Sequence, residues 1–223
     1  MNSKRGRTPF SGRRRLFAYS RFSLEKGVRA LLPLTVAMGL LAAPAFADGD
    51  ADRGRKLAYT CLGCHGIENY KNAYPKYSVP KLGGQSAAYI SAALAEYQAG
   101  ARWHPTMQGL ATALSARDRA DLAAFFQGAE PVRASAKPTG APPASAATCT
   151  ACHGPVGVGT LPENPTIAGQ HADYLAQALN DYRLDKRRNA VMGSFAKQLT
   201  RDDIRALADY YSKQPGLATP RLR

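Results

Sequence analysis

One unit is written twice in this chain of 223 residues, and that repetition limits the folds open to it. Gly84-Gln85-Ser86-Ala87-Ala88-Tyr89 aligns with Gly169-Gln170-His171-Ala172-Asp173-Tyr174 at an offset of 169 − 84 = 85. The same offset pairs Pro80 with Pro165, Leu94 with Leu179, Tyr97 with Tyr182 and Met107 with Met192. It also pairs Leu122 with Leu207, and Phe125-Phe126 with Tyr210-Tyr211. Upstream, Cys64-His65-Gly66 matches Cys152-His153-Gly154 at an offset of 88, so the first half carries three extra residues between its His and its Gly-Gln. Self-similarity of this kind means two copies of one structural unit. Between the copies, Pro131 to Ser145 is rich in Pro, Ala and Ser, which reads as an extended linker. The expected division is 48–130, a linker at 131–145, and 146–223.

Each unit reads as helical. Ser86 to Ala99 places Tyr89, Ala93 and Tyr97 on one stripe, with Ile90 and Leu94 beside them, at helical spacing. Ser115 with Asp118, and Thr200 with Asp203, fit an N-cap followed by an acid three residues on. Gly128 offers a stop for the first of these two helices. Leu122, Phe125 and Phe126, and their matches Leu207, Tyr210 and Tyr211, then form a buried stripe, read as packing rather than as an electron relay. No run alternates long enough to argue for a strand, so the expected class is all-α.

The formal charge of +14 invites a nucleic-acid reading, but much of it sits at one end. The first 47 residues hold nine Lys or Arg and one acid, 9 − 1 = +8. An apolar run of 14 residues follows within them, Ala30 to Ala43, and then Ala45-Phe46-Ala47. A basic start, a short apolar middle and A-x-A read as a secretory signal peptide over 1–47, with cleavage after Ala47; a membrane-spanning helix needs about 20 apolar residues. The remaining 176 residues carry only +6. The expected location is the periplasm, with at most peripheral membrane contact and no nucleic-acid partner.

The chemistry lies in four cysteines, each pair followed by a histidine: Cys61-Leu62-Gly63-Cys64-His65 and Cys149-Thr150-Ala151-Cys152-His153. C-x-x-C-H is the signature of covalent haem attachment. Two thiols three positions apart on a helical turn reach the two vinyl groups of one porphyrin, and the adjoining imidazole projects onto the iron. A redox dithiol needs no following His. A disulfide framework suits an exported chain but leaves both histidines unexplained. A four-thiol zinc site would have to join cysteines from both halves. The repeat also nominates a sixth iron ligand. Met107 and Met192 are the matched methionines outside the leader, each about 40 residues after its haem His. A thioether opposite His raises the reduction potential, as in electron-transfer cytochromes. His104 and His171 lack histidine counterparts, and are expected at the surface or beside a haem carboxylate.

With these motifs the chain resembles the class I cytochromes c, and in particular the tandem di-haem cytochrome c4 family. The resemblance covers 48–223. It rests on the two C-x-x-C-H-G sites, on Pro80-Lys81-Leu82-Gly83-Gly84-Gln85 and Pro165-Thr166-Ile167-Ala168-Gly169-Gln170, and on Met107 and Met192 ahead of a final amphipathic helix. It implies that the Pro80 and Pro165 carbonyls hold His65 and His153, a bond that fixes the ring and tunes the metal. Leu82 and Ile167 would pack on the porphyrins, and Arg102 and Arg187 would face their propionates. The stretch 67–79, with Tyr70, Tyr74 and Tyr77, is longer than the family's usual loop, which leaves open where the first haem's edge is exposed. The resemblance implies two haem c groups and no catalysis. It also implies a carrier running from a quinol-oxidising cytochrome bc complex to a terminal oxidase. A permanent electron-transfer subunit of a dehydrogenase, such as a flavocytochrome c sulfide dehydrogenase, is the alternative. A di-haem enzyme would need an open or thiolate-bound iron, and the sequence has no fifth cysteine.

Overall fold

The computed structural model describes residues 49–129, 131–134 and 137–221. The expected leader, 1–47, lies outside these. The described residues are helical, with only isolated bridges in place of strands. None of their helices is long and apolar enough to cross a membrane.

The first half contains α1 (Ala51–Leu57), α2 (Tyr59–His65), α3 (Ala87–Gln98), α4 (Pro105–Thr112) and α5 (Ala116–Gln127). The second contains α6 (Thr150–His153), α7 (Ala172–Arg183), α8 (Ala190–Ala196) and α9 (Arg201–Ser212), with a short 3-10 turn at Ala144–Ala146 where the first half has α1. The two final helices begin as their sequences dictate. Ser115 and Thr200 each accept from the backbone N–H three residues on, while Asp118 and Asp203 reach back to the cap N–H. Gly128 ends α5 at φ 72°.

Each half folds over its final helix: α5 packs on α3 and α1, and α9 on α7. Leu122, Ala123 and Phe126 of α5 meet Ile90 and Ala58, whereas Leu207, Ala208, Tyr210 and Tyr211 of α9 meet Leu175 and Ala146. The matched aromatic pairs keep one geometry. Phe125 and Phe126 stand edge to face at 5.1 Å, and Tyr210 and Tyr211 do so at 5.0 Å. The packing reading of these rings holds; their Phe125 member is half-buried.

Helix α1 has no match in the repeat, and a charge secures it. Asp121 of α5 is fully buried, accepts from the Asp50 N–H at 2.7 Å and pairs with Arg53. Gly54 permits the close approach, since a Cβ there would lie 1.9 Å from the Asp121 carbonyl oxygen.

The halves meet through a reciprocal contact. Gln85 donates to the Thr166 carbonyl (2.8 Å) and accepts from the Thr166 N–H (2.9 Å). Gln170 does the same to Lys81, at 3.0 Å each way. Thr166 and Lys81 are themselves matched at an offset of 85, so the interface is isologous, as in a two-fold dimer. Arg102 and Arg187 face each other in an antiparallel bridge at its centre. Gly84 and Gly169, the residues before these glutamines, both have left-handed φ (84° and 71°), a conformation that favours glycine.

The long 67–79 stretch also serves this interface. Tyr77, Ser78 and Val79 are buried, and Ser78 donates from its N–H (3.0 Å) and Oγ (2.9 Å) to Asp173. Tyr70 and Tyr74 stay exposed. Between the halves the chain bends at 137 and again at 139 and 140, and Gln214 holds Thr139 there by two bonds of 2.8 Å.

Candidate haem-binding sites

Helix α2 carries Cys61, Cys64 and His65 together, and Cys149 caps the single-turn α6 that carries Cys152 and His153. All four thiols are free. Burial pushes the Cys61 and Cys149 thiols up from their ordinary pKa. Among the described residues no three His, Cys, Asp or Glu side chains converge on a common metal position, so the two Cys pairs do not form one four-thiol site.

His65 Nδ1 lies 2.8 Å from the Pro80 carbonyl oxygen, and His153 Nδ1 lies 2.9 Å from that of Pro165. A carbonyl only accepts, so Nδ1 carries the proton and Nε2 is the nitrogen left to bind a metal. Burial holds both imidazoles below their ordinary pKa, against the pull of these carbonyls. They are therefore neutral at pH 7, the form a metal requires.

Met107 and Met192 sit in the first turns of α4 and α8. The structure takes His104 away from the surface, one of the two places expected for it. It is buried, and its Nδ1 accepts from the Met107 N–H at 3.3 Å, capping α4. Its repeat partner Asn189 caps α8 in the same way, through the Met192 N–H at 3.0 Å. Residue 104 or 189 is thus the device that starts the methionine-bearing helix. His171 is half-buried at the start of α7 and makes no side-chain cap.

One cavity of about 400 Å³ is lined by both histidines, both methionines and Cys61, Cys64 and Cys149. Its walls include Leu82, Leu94, Ile167 and Leu179 from the two halves. Cys152 is exposed and lies outside this lining, next to His153 on α6. Thiols, neutral imidazoles, thioethers and apolar walls are the donor set and surroundings of a c-type haem, and the residues present fit that group.

Arg102 and Arg187 line the same cavity and are buried. Arg102 pairs with Glu96 and lies over Tyr89 (5.2 Å) and Tyr97 (5.6 Å). Arg187 lies over Tyr182 at 4.6 Å and donates to the Tyr89 hydroxyl of the other half at 2.7 Å. Burial opposes a Tyr89 phenolate, but the two guanidiniums outweigh it and bring this phenol down to about 8.

The cytochrome c family model matches twice, at residues 51–130 and 140–214. Cytochrome c4 of Pseudomonas aeruginosa is 34% identical over 203 residues, 82% of this chain and 96% of that protein. A thiosulfate dehydrogenase electron acceptor of Stutzerimonas stutzeri is 32% identical over 203 residues, covering 83% of this chain and 92% of its own. The crystal structure of reduced recombinant cytochrome c4 from Pseudomonas stutzeri superposes with a TM-score of 0.59 at 31% identity, covering 74% of this chain and 99% of that one. The doubled match, the two Cys-x-x-Cys-His sites and the tandem helical halves place the chain in the di-haem cytochrome c4 family, as an electron-transfer protein with two covalently attached haem c groups.

Proposed function

We propose that this chain is a periplasmic electron carrier that takes electrons from a quinol-oxidising cytochrome bc complex and gives them to a terminal oxidase. In this reading residues 1–47 are removed on export. Units 48–130 and 146–223 each hold one haem, and 131–145 joins them. Cys61 and Cys64, and Cys149 and Cys152, would hold the two haems through thioether bonds, with His65 and Met107 as the iron ligands of one and His153 and Met192 as those of the other. When bound, each haem supplies one one-electron couple. The chain's own residues do the rest. Pro80 and Pro165 fix the imidazoles, His104 and Asn189 start the helices that present the thioethers, and apolar walls keep water away.

The observation that carries this reading is that both halves bring a histidine and a methionine to the cavity. A histidine and a methionine in each half would serve a bound haem as its two ligands, and the chemistry that haem would supply is electron transfer between partners. Rapid mixing tests it. The reduced holo-protein should be oxidised quickly by membranes containing a terminal oxidase, and should bind carbon monoxide slowly. Rapid carbon monoxide binding to either haem would speak instead for an enzyme.

The electron-acceptor relative favours a second reading, in which the donor is a dehydrogenase such as one acting on thiosulfate. Reduction of this chain by a purified thiosulfate dehydrogenase, and not by a bc complex, would select it. Stoichiometric flavin in protein isolated from its host would point to the flavocytochrome subunit.

A further inference from the structure

The two halves differ on a face of α7 and α9 that lies outside the haem cavity. Arg183, Arg201 and Arg205 line a groove there of about 550 Å³, together with Ala176, Asn180 and the buried Ile204. None of these residues lines the haem cavity. In the first half the positions matching the three arginines hold Gln98, Ala116 and Ala120. Arg119, which matches Ile204, occupies that place instead, and its Nη1 donates to Gln98 Oε1 (2.8 Å) and to the Leu114 carbonyl (3.2 Å). The chain entering α1 covers Ala120 so closely that a Cβ on Gly49 would lie 2.0 Å from its carbonyl oxygen. The second half has a short 3-10 turn in place of α1, and its Arg201 and Arg205 are exposed. The first half closes this face, and the second leaves it open and basic.

The positive charge of the groove is only partly answered. Arg183 donates to Asn180 at 3.0 Å, an uncharged partner. Arg205 pairs with Asp202, and both side chains are exposed, so water and salt leave the pair little energy. Arg201 makes no hydrogen bond or ion pair among the described residues. The planar guanidinium fork suits carboxylates, two N–H bonds at a time, and arginine is enriched where proteins meet. The inner face of α7 lines the haem cavity through Leu175, Leu179 and Tyr182. A partner in the groove would sit about one helix diameter, about 10 Å, from that cavity.

We propose that the α7–α9 groove docks an acidic segment of a protein redox partner, whose carboxylates meet Arg183, Arg201 and Arg205. The proposal deepens the electron-carrier reading and rests on it. A protein surface brings several carboxylates into one groove at once, which offsets the screening that weakens each exposed contact. A flat lipid surface would meet the exposed Arg201 and Arg205 before the half-buried Arg183.

Binding of polyglutamate to the holo-protein at low ionic strength tests it, followed by amide NMR and calorimetry. The expected shifts concentrate at Ala176, Asn180 and Arg205. The triple variant Arg183→Gln, Arg201→Gln, Arg205→Gln should bind about eightfold more weakly, since an exposed ion pair is worth a factor of about two and three are lost. The same loss of charge placed elsewhere, in Lys56→Gln, Lys76→Gln, Lys213→Gln, should change binding by less than about twofold. Electron exchange between the arginine variant and respiratory membranes should slow, with its haem spectrum unchanged. Shifts concentrated elsewhere would overturn the proposal, as would equal weakening in the two triple variants or exchange rates that the arginine variant leaves unmoved. An arginine variant that keeps polyglutamate and loses only phosphatidylglycerol vesicles would also overturn it, in favour of a lipid surface. Wild-type protein that binds polyglutamate in the groove and exchanges no electrons with respiratory membranes would overturn the electron-carrier reading and leave the acidic-ligand groove standing.

Discussion

Replacing Gln85 by Met keeps the side chain's length and removes both of its polar atoms. Gln85 is 3% exposed, and the Thr166 backbone it serves is buried with it. The substitution strands the Thr166 N–H and carbonyl, now bonded at 2.9 and 2.8 Å. A buried donor or acceptor left unpaired costs about 1–3 kcal/mol, so the two together cost about 2–6 kcal/mol. The loss falls on the contact between the halves, not on either core, because Leu122 and Leu207 are untouched. Denaturant unfolding of the holo-protein, followed by haem absorbance and far-ultraviolet circular dichroism, should show a lower midpoint and a transition splitting into two steps. Gln170→Met should do the same through Lys81. If Gln85→Met unfolds within about 0.5 kcal/mol of wild type, the range of an ordinary surface change, then the reciprocal glutamines do not hold the halves together.

Thr200→Ala removes the cap of α9 and should cost about 1 kcal/mol, lowering the unfolding midpoint in calorimetry without splitting the transition. Acid should weaken the first half. Asp118 is held down at about 2 from 3.8, first by the Ser115 hydroxyl, then by the Ser115 backbone and Arg53. A depressed carboxylate contributes stability that is present above its unfolded pKa and lost as pH falls toward the folded value. The α1–α5 contact should therefore loosen between pH about 4 and about 2, and hydrogen exchange at Gly54 and Ala58 should rise there. Unchanged protection at those amides would refute this role for Asp118.

The parts of this protein that a local pattern encodes were legible in its residues. The capping pairs at Ser115 and Thr200, the stop at Gly128 and the Cys-x-x-Cys-His turns each lie within a few positions of one another. The repeat exposed the methionines, and the family resemblance supplied Pro80 and Pro165, whose carbonyls lie at bonding distance from the histidines. The role of His104 was also within reach. A polar residue three before Met107, ahead of Pro105, has an N-cap's spacing, and Asn189 repeats it. What stayed hidden depends on residues far apart in sequence. Gln85 meets Thr166 across 81 positions, Ser78 meets Asp173 across 95, and Arg187 meets Tyr89 across 98. No periodicity records such pairs. Gln85 and Gln170 marked the repeat without revealing that each bonds the opposite copy. The buried Asp121 has no match in the second half, so the repeat could not point to it.

The absorbance of the oxidised protein in the red, where sulfur-to-iron charge transfer marks methionine on ferric haem, tests the central claim most directly when measured against the haem content per chain. The account predicts two haems per chain and a band of two-site intensity that falls by half in Met107→Ala and again by half in Met192→Ala. A single haem per chain would contradict it, and so would a wild-type band that neither substitution diminishes.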